Sequence, residues 1–254
     1  MRTVRSDLLA LGVTPGDTVL LHSSMKSLGY VVGGVQAVVQ AFLDALGPTG
    51  TLVVPTQTGD NSDPAGWRNP PVPEEWWPVI RSQSPGYDPA VTPSRWMGLL
   101  PETVRTWPGA VRSAHPWLSF AAIGAHAETV TGGHRLDDAL GEDSPLGALY
   151  RLDGKVLLLG VGHDSNTSLH LGEWRQESPP RGPHGASIRR ADGTSEWVTW
   201  TDVLEKEDDF EELGAAFEAA GGVTFGQVGS ATARLMPQRA AVDFATAWIA
   251  ANRR

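Results

Sequence analysis

The stretch that decides the fold is TVLLHSSMKSLGYVVGGVQAVVQAFLDALGPTGTLVVPT, which occupies residues 18–56. Its two ends, TVLLH and TLVVPT, are short apolar runs typical of buried strands. Between them, apolar residues recur at helical spacing over residues 35–46, and Gly47 with Pro48 ends that helix. A strand–loop–helix–strand unit of this kind predicts an α/β fold in which the two strands pair in parallel.

Further elements are predicted downstream from apolar runs and turn residues. Asp192–Gly193 marks the turn of a β-hairpin, and a short helix capped by Ser94 extends to Arg105. An acidic amphipathic helix spans residues 205–221, and Ser230 caps the last helix. The remaining predicted elements are strands over residues 117–124, 155–162 and 223–229, and a helix with Asp143 or Ser144 near its N-cap and Pro145 in its first turn.

A long segment without periodicity, rich in proline and tryptophan, covers about residues 58–93. Loops of this length inside a compact domain are usually functional, so we predict that it forms a substrate loop or a lid. No linker divides the chain, and we predict a single domain over residues 1–254.

Composition excludes several classes of function. The 254 residues, 41% of them hydrophobic, are enough for a large core. The chain has no cysteine, which excludes disulfides, thiolate metal sites and a cysteine nucleophile. A net charge of −9 without a basic patch argues against nucleic acid as a partner. No apolar run approaches the roughly 20 residues of a membrane span, and no signal peptide is visible, so we expect a cytoplasmic protein without a membrane partner.

The segment NTSLHLGEW places His170 and Glu173 three residues apart, on one face of any helix that forms there. With Asn166 or Thr167 as the cap, His170 would lie near a helix N-terminus, which disfavours the imidazolium form. Glu173 could then fix the tautomer of a neutral imidazole that accepts a proton.

Two other interpretations of this pair remain open on spacing alone. One is a half-exposed ion pair of small energetic value. The other is a metal site to which His163 and Asp164 also contribute, although the H-E-x-x-H spacing is missing. A serine nucleophile at Ser23 or Ser24 is disfavoured, because the chain has no G-x-S-x-G elbow.

The loop SSMKSLGYVVGG, residues 23–34, leaves a predicted strand and enters a predicted helix. Backbone N–H groups at such a junction can bind an anion, Lys26 adds positive charge, and Gly29 permits close approach. The loop lacks both the Walker pattern and the dinucleotide pattern G-x-G-x-x-G. It is therefore a candidate phosphate site, with an ordinary strand-to-helix turn as the alternative.

Five stretches, in this order, carry a resemblance to a known family: LLHSSMKSLGYVVGG, GTLVVPTQT, RSAHPWLSFAAIGAHA, DSPLGALYRLDGKVLLLGVGHDSNTSLHLGEW and EDDFEELGAAFE. Together the chain resembles the aminoglycoside 3-N-acetyltransferase family, the antibiotic N-acetyltransferases. The resemblance implies a single-domain α/β fold, unlike that of GNAT enzymes, with a mixed, largely parallel central sheet flanked by helices. It also implies acetyl-CoA as cosubstrate, no metal, and an aminoglycoside amine, the 3-N of the 2-deoxystreptamine ring, as acceptor.

The resemblance also assigns roles to residues. His170 looks like the general base, Glu173 like its supporting carboxylate, and Thr167 like a hydroxyl that reaches the thioester. His115 and Pro116 match an "HP" pattern whose role here is open. Residues that look like the coenzyme A channel are Lys26, Ser27, Leu28, Gly29, Tyr30 and Val31, with Asp143, Ser144 and Pro145 at its second wall. For charge reasons, the candidates that receive the cationic acceptor are Asp60, Asp143, Asp208, Asp209 and Glu212.

The predicted reaction is direct transfer in a ternary complex, by a monomer or homodimer that confers antibiotic resistance. Two other functions remain open. The chain could be an N-acyltransferase of a natural-product pathway that acts on a different amine. It could also be a non-catalytic protein that sequesters its ligand.

Overall fold

The computed structural model describes residues 3–253. The strands are β1 (Thr18–Ser23), β2 (Thr51–Pro55), β3 (Val111–Arg112), β4 (Phe120–Gly124), β5 (Lys155–Leu159), β6 (Arg181–Arg189), β7 (Ser195–Val203), β8 (Thr224–Val228) and β9 (Ala231–Pro237). The α-helices are α1 (Val4–Leu11), α2 (Gly34–Leu46), α3 (Trp77–Gln83), α4 (Leu99–Arg105), α5 (Ala127–Thr131), α6 (Pro145–Arg151), α7 (His170–Trp174), α8 (Phe210–Ala219) and α9 (Gln238–Asn252).

The main sheet has the strand order β3-β4-β2-β1-β5-β9-β8. Strand β1 lies at its centre and is parallel to both neighbours, with Leu20 opposite Val53 of β2 and Val156 of β5. The outer strands β3, β4, β9 and β8 pair antiparallel. The predicted β1–α2–β2 unit is therefore confirmed, as is a mixed central sheet with helices packed on it.

Both faces of this sheet are buried, which explains why its central strands are continuous apolar runs. On one face, Val19 and Leu21 pack in a cluster with Phe42 of α2. On the other face, Leu20 joins a second cluster with Phe120 and Leu149. Each fully buried side chain of this size contributes roughly 1.5–3 kcal/mol. Apolar burial on both faces thus holds the carboxyl ends of β1 and β5 in fixed positions.

The predicted hairpin is confirmed as β6 and β7, which turn at residues 190–194. Gly193 has a φ of +85°, a conformation that glycine adopts without strain. The segment over residues 58–93 is less irregular than its sequence indicates, because it contains α3 and three short 3-10 turns. Asn61 fastens it to the hairpin, donating to the Ser187 carbonyl (2.9 Å) and accepting from its N–H (3.0 Å).

The prediction that Ser94 caps a helix is wrong. Helix α4 begins later, at Leu99, with Gly98 as its N-cap. The N–H and hydroxyl of Ser94 instead donate to the Glu102 carboxylate, at 3.0 and 2.7 Å.

The prediction that Ser230 caps the last helix is also wrong. Ser230 lies in the turn between β8 and β9, and α9 begins only at Gln238. The intervening residues form β9 because alternate side chains, among them Ala231 and Ala233, are buried against the sheet.

The acidic helix begins at Phe210, five residues later than the charge pattern predicts. Tertiary contacts hold the preceding segment out of the helix. The Lys206 N–H donates to Glu173 (3.1 Å), and its carbonyl accepts from Arg253 (2.7 Å). Within residues 3–253, no helix combines the length and the apolarity that crossing a bilayer requires.

Candidate active site

His170 and Glu173 form a buried hydrogen-bonded pair on α7. Their side chains are joined between Nδ1 and Oε2 at 2.6 Å, and the two residues are 7% and 3% exposed. A carboxylate can only accept, so Nδ1 carries the proton of this bond and Nε2 of the neutral ring keeps a free lone pair. The Phe210 ring packs at 4.7 Å from the imidazole. The arrangement excludes the half-exposed ion pair and leaves an imidazole whose tautomer is fixed.

The chain reaches α7 through two 3-10 turns, His163–Ser165 and Thr167–Leu169, which follow β5. The side chain of Asn166 makes no capping bond, and Thr167 lies within the second turn. The expected side-chain cap is therefore absent at both of these described residues, although His170 does begin the α-helix.

Glu173 is itself held by two further donors. Its Oε1 accepts from the Lys206 N–H and from the Arg253 guanidinium, which lies 80 residues away in the sequence. Arg253 also donates to Asp209 from Nε (2.8 Å) and to the Lys206 carbonyl. Buried carboxylates need such partners, because an unpaired charge in the interior is costly. This network fixes the carboxylate that orients His170.

Two cavities meet at His170. The first, here called the loop cavity, has a volume of about 730 Å³ and is lined by residues 22–26, residues 96–101, Thr167 and His170. The second, the acidic cavity, has a volume of about 390 Å³ and is lined by residues 205–208, Trp117, Leu118, Gln57, Leu140 and His170. Gln57 and Glu207 are also shared between them. His170 can therefore lie next to two ligands, one in each cavity.

The two cavities differ in their charged side chains. Lys26 lines the loop cavity together with Asp164 and the shared Glu207, whereas Glu205, Glu207 and Asp208 line the acidic cavity together with Lys206. Burial raises the pKa of Glu205 to about 7, and the negative charge of Glu173 acts in the same direction. Such a shift is frequent at functional sites. With three carboxylates and one ammonium, the acidic cavity suits a cation, and in the loop cavity Lys26 offers an ammonium to an anionic group of a ligand.

Of the six residues predicted to bind coenzyme A in the loop after β1, one lines the loop cavity, and the others support the loop, are exposed or pack in the core. Lys26 lines the loop cavity, and Ser27 supports its loop by donating to the Gly160 carbonyl at 3.1 Å. Gly29 takes a φ of +78° at the bend, whereas Tyr30 is 94% exposed. Leu28 is buried in the core cluster that contains Phe42, and Val31 packs against that cluster.

The predicted second wall, Ser144 and Pro145, serves the fold instead of either cavity. The Ser144 hydroxyl donates to Gly141 (2.6 Å) and accepts from the Leu146 N–H (3.1 Å), which makes it the cap of α6. Pro145 is buried in the first turn of that helix, as predicted. Among the described residues that line the loop and acidic cavities, neither is present.

Of the five candidate acceptor carboxylates, Asp208 lines the acidic cavity. Asp209 is adjacent but forms an ion pair with Arg253. Asp60 pairs with Arg95 at 3.4 Å, and Asp143 with Arg135 at 3.5 Å, both away from His170. Glu212 is exposed on α8. The structure thus brings one of the five to the cavity beside the imidazole.

The sequence interpretation missed Glu205, Glu207, Gln57 and Arg253. Glu205 and Glu207 belong to the acidic run over residues 205–212, but the candidates predicted in that run were Asp208, Asp209 and Glu212. Arg253 has no signal in sequence spacing. His163, a candidate metal ligand, packs against α8 with Nε2 3.2 Å from Glu218. Among residues 3–253, no group of three or more histidine, cysteine, aspartate or glutamate side chains could hold a metal ion.

Comparison with known proteins gives a consistent result. The family model "Aminoglycoside 3-N-acetyltransferase" matches residues 20–250. A prophage-derived aminoglycoside N(3')-acetyltransferase-like protein of Bacillus subtilis, YokD, is 44% identical over 99% of this chain and 92% of its own. The aminoglycoside N(3)-acetyltransferase VII of Streptomyces paromomycinus is 37% identical over 96% of this chain and 88% of its own.

Solved structures agree with these relatives. The crystal structure of YokD superposes with a TM-score of 0.95 over 98% of this chain and 92% of that chain, at 44% identity. AAC-IIIb, solved as a binary complex with CoASH, has a TM-score of 0.85 at 31% identity, over 97% of this chain and 94% of that chain. AAC-VIa, solved with bound sisomicin, has a TM-score of 0.85 at 32% identity, over 98% and 96%.

The resemblance drawn from five stretches is thereby confirmed, and with it the acyltransferase class, the fold class and the acetyl-CoA cosubstrate of the family. The family model covers 231 positions, from residue 20 to residue 250, and so includes most of β1, the loop after it and both members of the His170–Glu173 pair. This chain belongs to the aminoglycoside 3-N-acetyltransferase family.

Proposed function

We propose that this protein transfers the acetyl group of acetyl-CoA to the 3-amino group of the 2-deoxystreptamine ring of an aminoglycoside, with His170 as general base. One observation carries the proposal. The imidazole of His170, oriented by Glu173 at 2.6 Å, lines both the cavity next to the Lys26 loop and the cavity of carboxylates. A base at such a junction can contact an acyl donor and an amine acceptor at the same time.

The acyl donor occupies the loop cavity in this proposal. Coenzyme A carries phosphates, and Lys26 with the N–H groups of its loop can receive them. The apolar residues Met97, Leu99 and Leu100 line the same cavity and suit the uncharged pantetheine arm. The thioester then lies at the inner end, near Thr167 and His170. The CoASH complex of AAC-IIIb supports this type of ligand.

The acceptor occupies the acidic cavity. Aminoglycosides carry several ammonium groups, which Glu205, Glu207 and Asp208 attract. The amine that reacts must first lose a proton, because an ammonium has no lone pair. That first proton leaves to solvent, and Nε2 of His170 accepts a second proton from the nitrogen as it attacks the thioester carbon. Glu173 stabilises the imidazolium that results.

The reaction is then completed without a covalent acyl-enzyme intermediate. The new C–N bond forms, the C–S bond breaks, and the proton on His170 is returned to the departing thiolate. The chain has no cysteine that could carry the acetyl group, and both cavities open onto one imidazole. Both observations support direct transfer in a ternary complex.

The test is acetyl-CoA turnover with a panel of aminoglycosides, and mass spectrometry with NMR to locate the modified amine. His170→Ala is expected to lower kcat by on the order of a hundredfold or more, while the Kd for acetyl-CoA stays within about threefold. A binding protein that only sequesters its ligand would keep full protection after this substitution. Turnover of a different amine, with the aminoglycosides inert, would replace the acceptor but keep the base.

A further inference from the structure

His22 is a second imidazole beside the site, and the reaction above does not use it. It lies at the carboxyl end of β1, is 5% exposed, and lines the loop cavity. Its Nε2 has no hydrogen-bond partner within residues 3–253 and is shielded from solvent. A buried polar atom without a partner is uncommon and destabilises the fold. A leucine would fill the space without that penalty, so the imidazole calls for a functional explanation.

The topology explains why this ring lies close to His170. Strands β1 and β5 are parallel neighbours, with His22 opposite Leu158, so their carboxyl ends meet at one edge of the sheet. The chain that leaves β5 there leads directly to Thr167 and His170. Positive charge on His170 lowers the pKa of His22, adding to the larger effect of burial, and the result is a pKa of about 3.

The protonation state limits what His22 can do. A ring that stays neutral at physiological pH is neither a base that competes with His170 nor a cation. A neutral imidazole still has one N–H donor, and such a donor can polarise a carbonyl group without transferring its proton. In a site shielded from water, a fixed donor of this kind stabilises developing negative charge strongly.

We propose that His22 is a catalytic residue that donates a hydrogen bond from Nδ1, the ring nitrogen that is not sealed from the loop cavity, to the carbonyl oxygen of the bound thioester. This inference rests on the proposed function, because it requires the acyl donor in the loop cavity. When the amine attacks, the electron pair of the C=O bond moves onto that oxygen. It returns to re-form the C=O bond as the C–S bond breaks, and the proton of His22 stays on its ring throughout.

The decisive variants are His22→Leu, which keeps bulk without a donor, and two amides that replace the donor. Glutamine places an N–H at about the reach of Nε2, and asparagine at about the reach of Nδ1. His22→Leu is expected to lower kcat by about a hundred- to a thousandfold, the usual effect of removing one oxyanion donor. The Kd of His22→Leu for acetyl-CoA should stay within about threefold of the wild-type value. One of the two amide variants should have a kcat at least about tenfold higher than that of His22→Leu.

A spectroscopic measurement separates this role from a structural one. The carbonyl stretch of ¹³C-labelled acetyl-CoA, bound without acceptor, should lie at lower wavenumber in wild type and in His170→Ala than in His22→Leu. A band that does not differ between wild type and His22→Leu overturns the proposal, as does a kcat within threefold of wild type. If His22→Leu fails to fold, the amide variants are compared with wild type in the same measurement, and identical bands in all three with an unchanged kcat overturn it.

The two proposals fail in different ways. If the His22→Leu variant keeps full acetyl transfer, only the role proposed for His22 is refuted. If the wild-type protein does not bind acetyl-CoA, the proposed function is refuted, and the role proposed for His22 is refuted as well.

Discussion

Replacing Glu173 by glutamine removes one negative charge from the His170 pair and leaves its shape almost unchanged. Glutamine can still accept a hydrogen bond from Nδ1, so the orientation of the ring is kept in part. What is lost is the attraction between the carboxylate and the imidazolium that forms when His170 takes the proton. We therefore expect kcat to fall, with little change in KM for acetyl-CoA.

The size of the effect follows from the geometry. Two unit charges about 4 Å apart interact with roughly 4 kcal/mol at an effective dielectric constant of about 20. Glu173 is shared with Arg253, which offsets part of its charge, so we take about half of that value. A loss of about 2 kcal/mol in the transition state corresponds to roughly a 30-fold fall in kcat.

Thiol release from acetyl-CoA, followed with a chromogenic disulfide at saturating aminoglycoside, measures this change. Asp209→Asn is the matched control, because it removes the other carboxylate of Arg253 without touching His170. Its kcat should stay within about threefold of wild type. A kcat for Glu173→Gln within threefold of wild type, in a folded protein, would refute the role given to its charge. An equal fall in both variants would assign the effect to the Arg253 network.

Two further predictions concern stability. The pKa of Glu205 is about 7 in the fold against its usual 4.5, so the folded state favours the protonated form and loses stability as the pH rises through this window. Glu205→Gln should therefore raise Tm at pH 8 by roughly 2–4 °C, about 1 kcal/mol, and by much less at pH 5; a pH-independent difference in calorimetry would contradict this. In Gly214→Ala the new Cβ would lie 2.0 Å from Cγ of His163, and we expect a loss of roughly 3 kcal/mol in urea unfolding, whereas Gly66→Ala, with no neighbour within 4 Å, should change stability by under about 0.5 kcal/mol.

Local patterns predicted the centre of the fold and the contact between His170 and Glu173. The unit β1–α2–β2 is visible because central strands are uninterrupted apolar runs and α2 has regular helical spacing. The hairpin follows from Asp192–Gly193, whose turn requires a positive φ. His170 and Glu173 are close in sequence, so their contact follows from helical spacing alone.

Contacts between distant residues were not visible in the same way. Strand β9 mixes small, charged and apolar side chains, and it forms because it pairs with the edge of β5, some 75 residues earlier. The late start of α8 depends on Arg253, which reaches back to Lys206 and Glu173. The acidic cavity therefore contains Glu205 and Glu207 beside Asp208, whereas the candidates chosen on charge also included Asp209 and Glu212, which do not line it. Long-range tertiary contacts, and not local propensity, therefore determine where β9 forms and where α8 begins.

The shared wall at His170 has a consequence for inhibitor design. Since His170, Gln57 and Glu207 line both the loop cavity and the acidic cavity, a single compound could occupy both at once. Tethering a pantetheine-like arm to an aminoglycoside core by a short linker would make the second contact intramolecular. The gain comes from effective concentration, which is in the millimolar range for short flexible tethers, and it needs no new interaction.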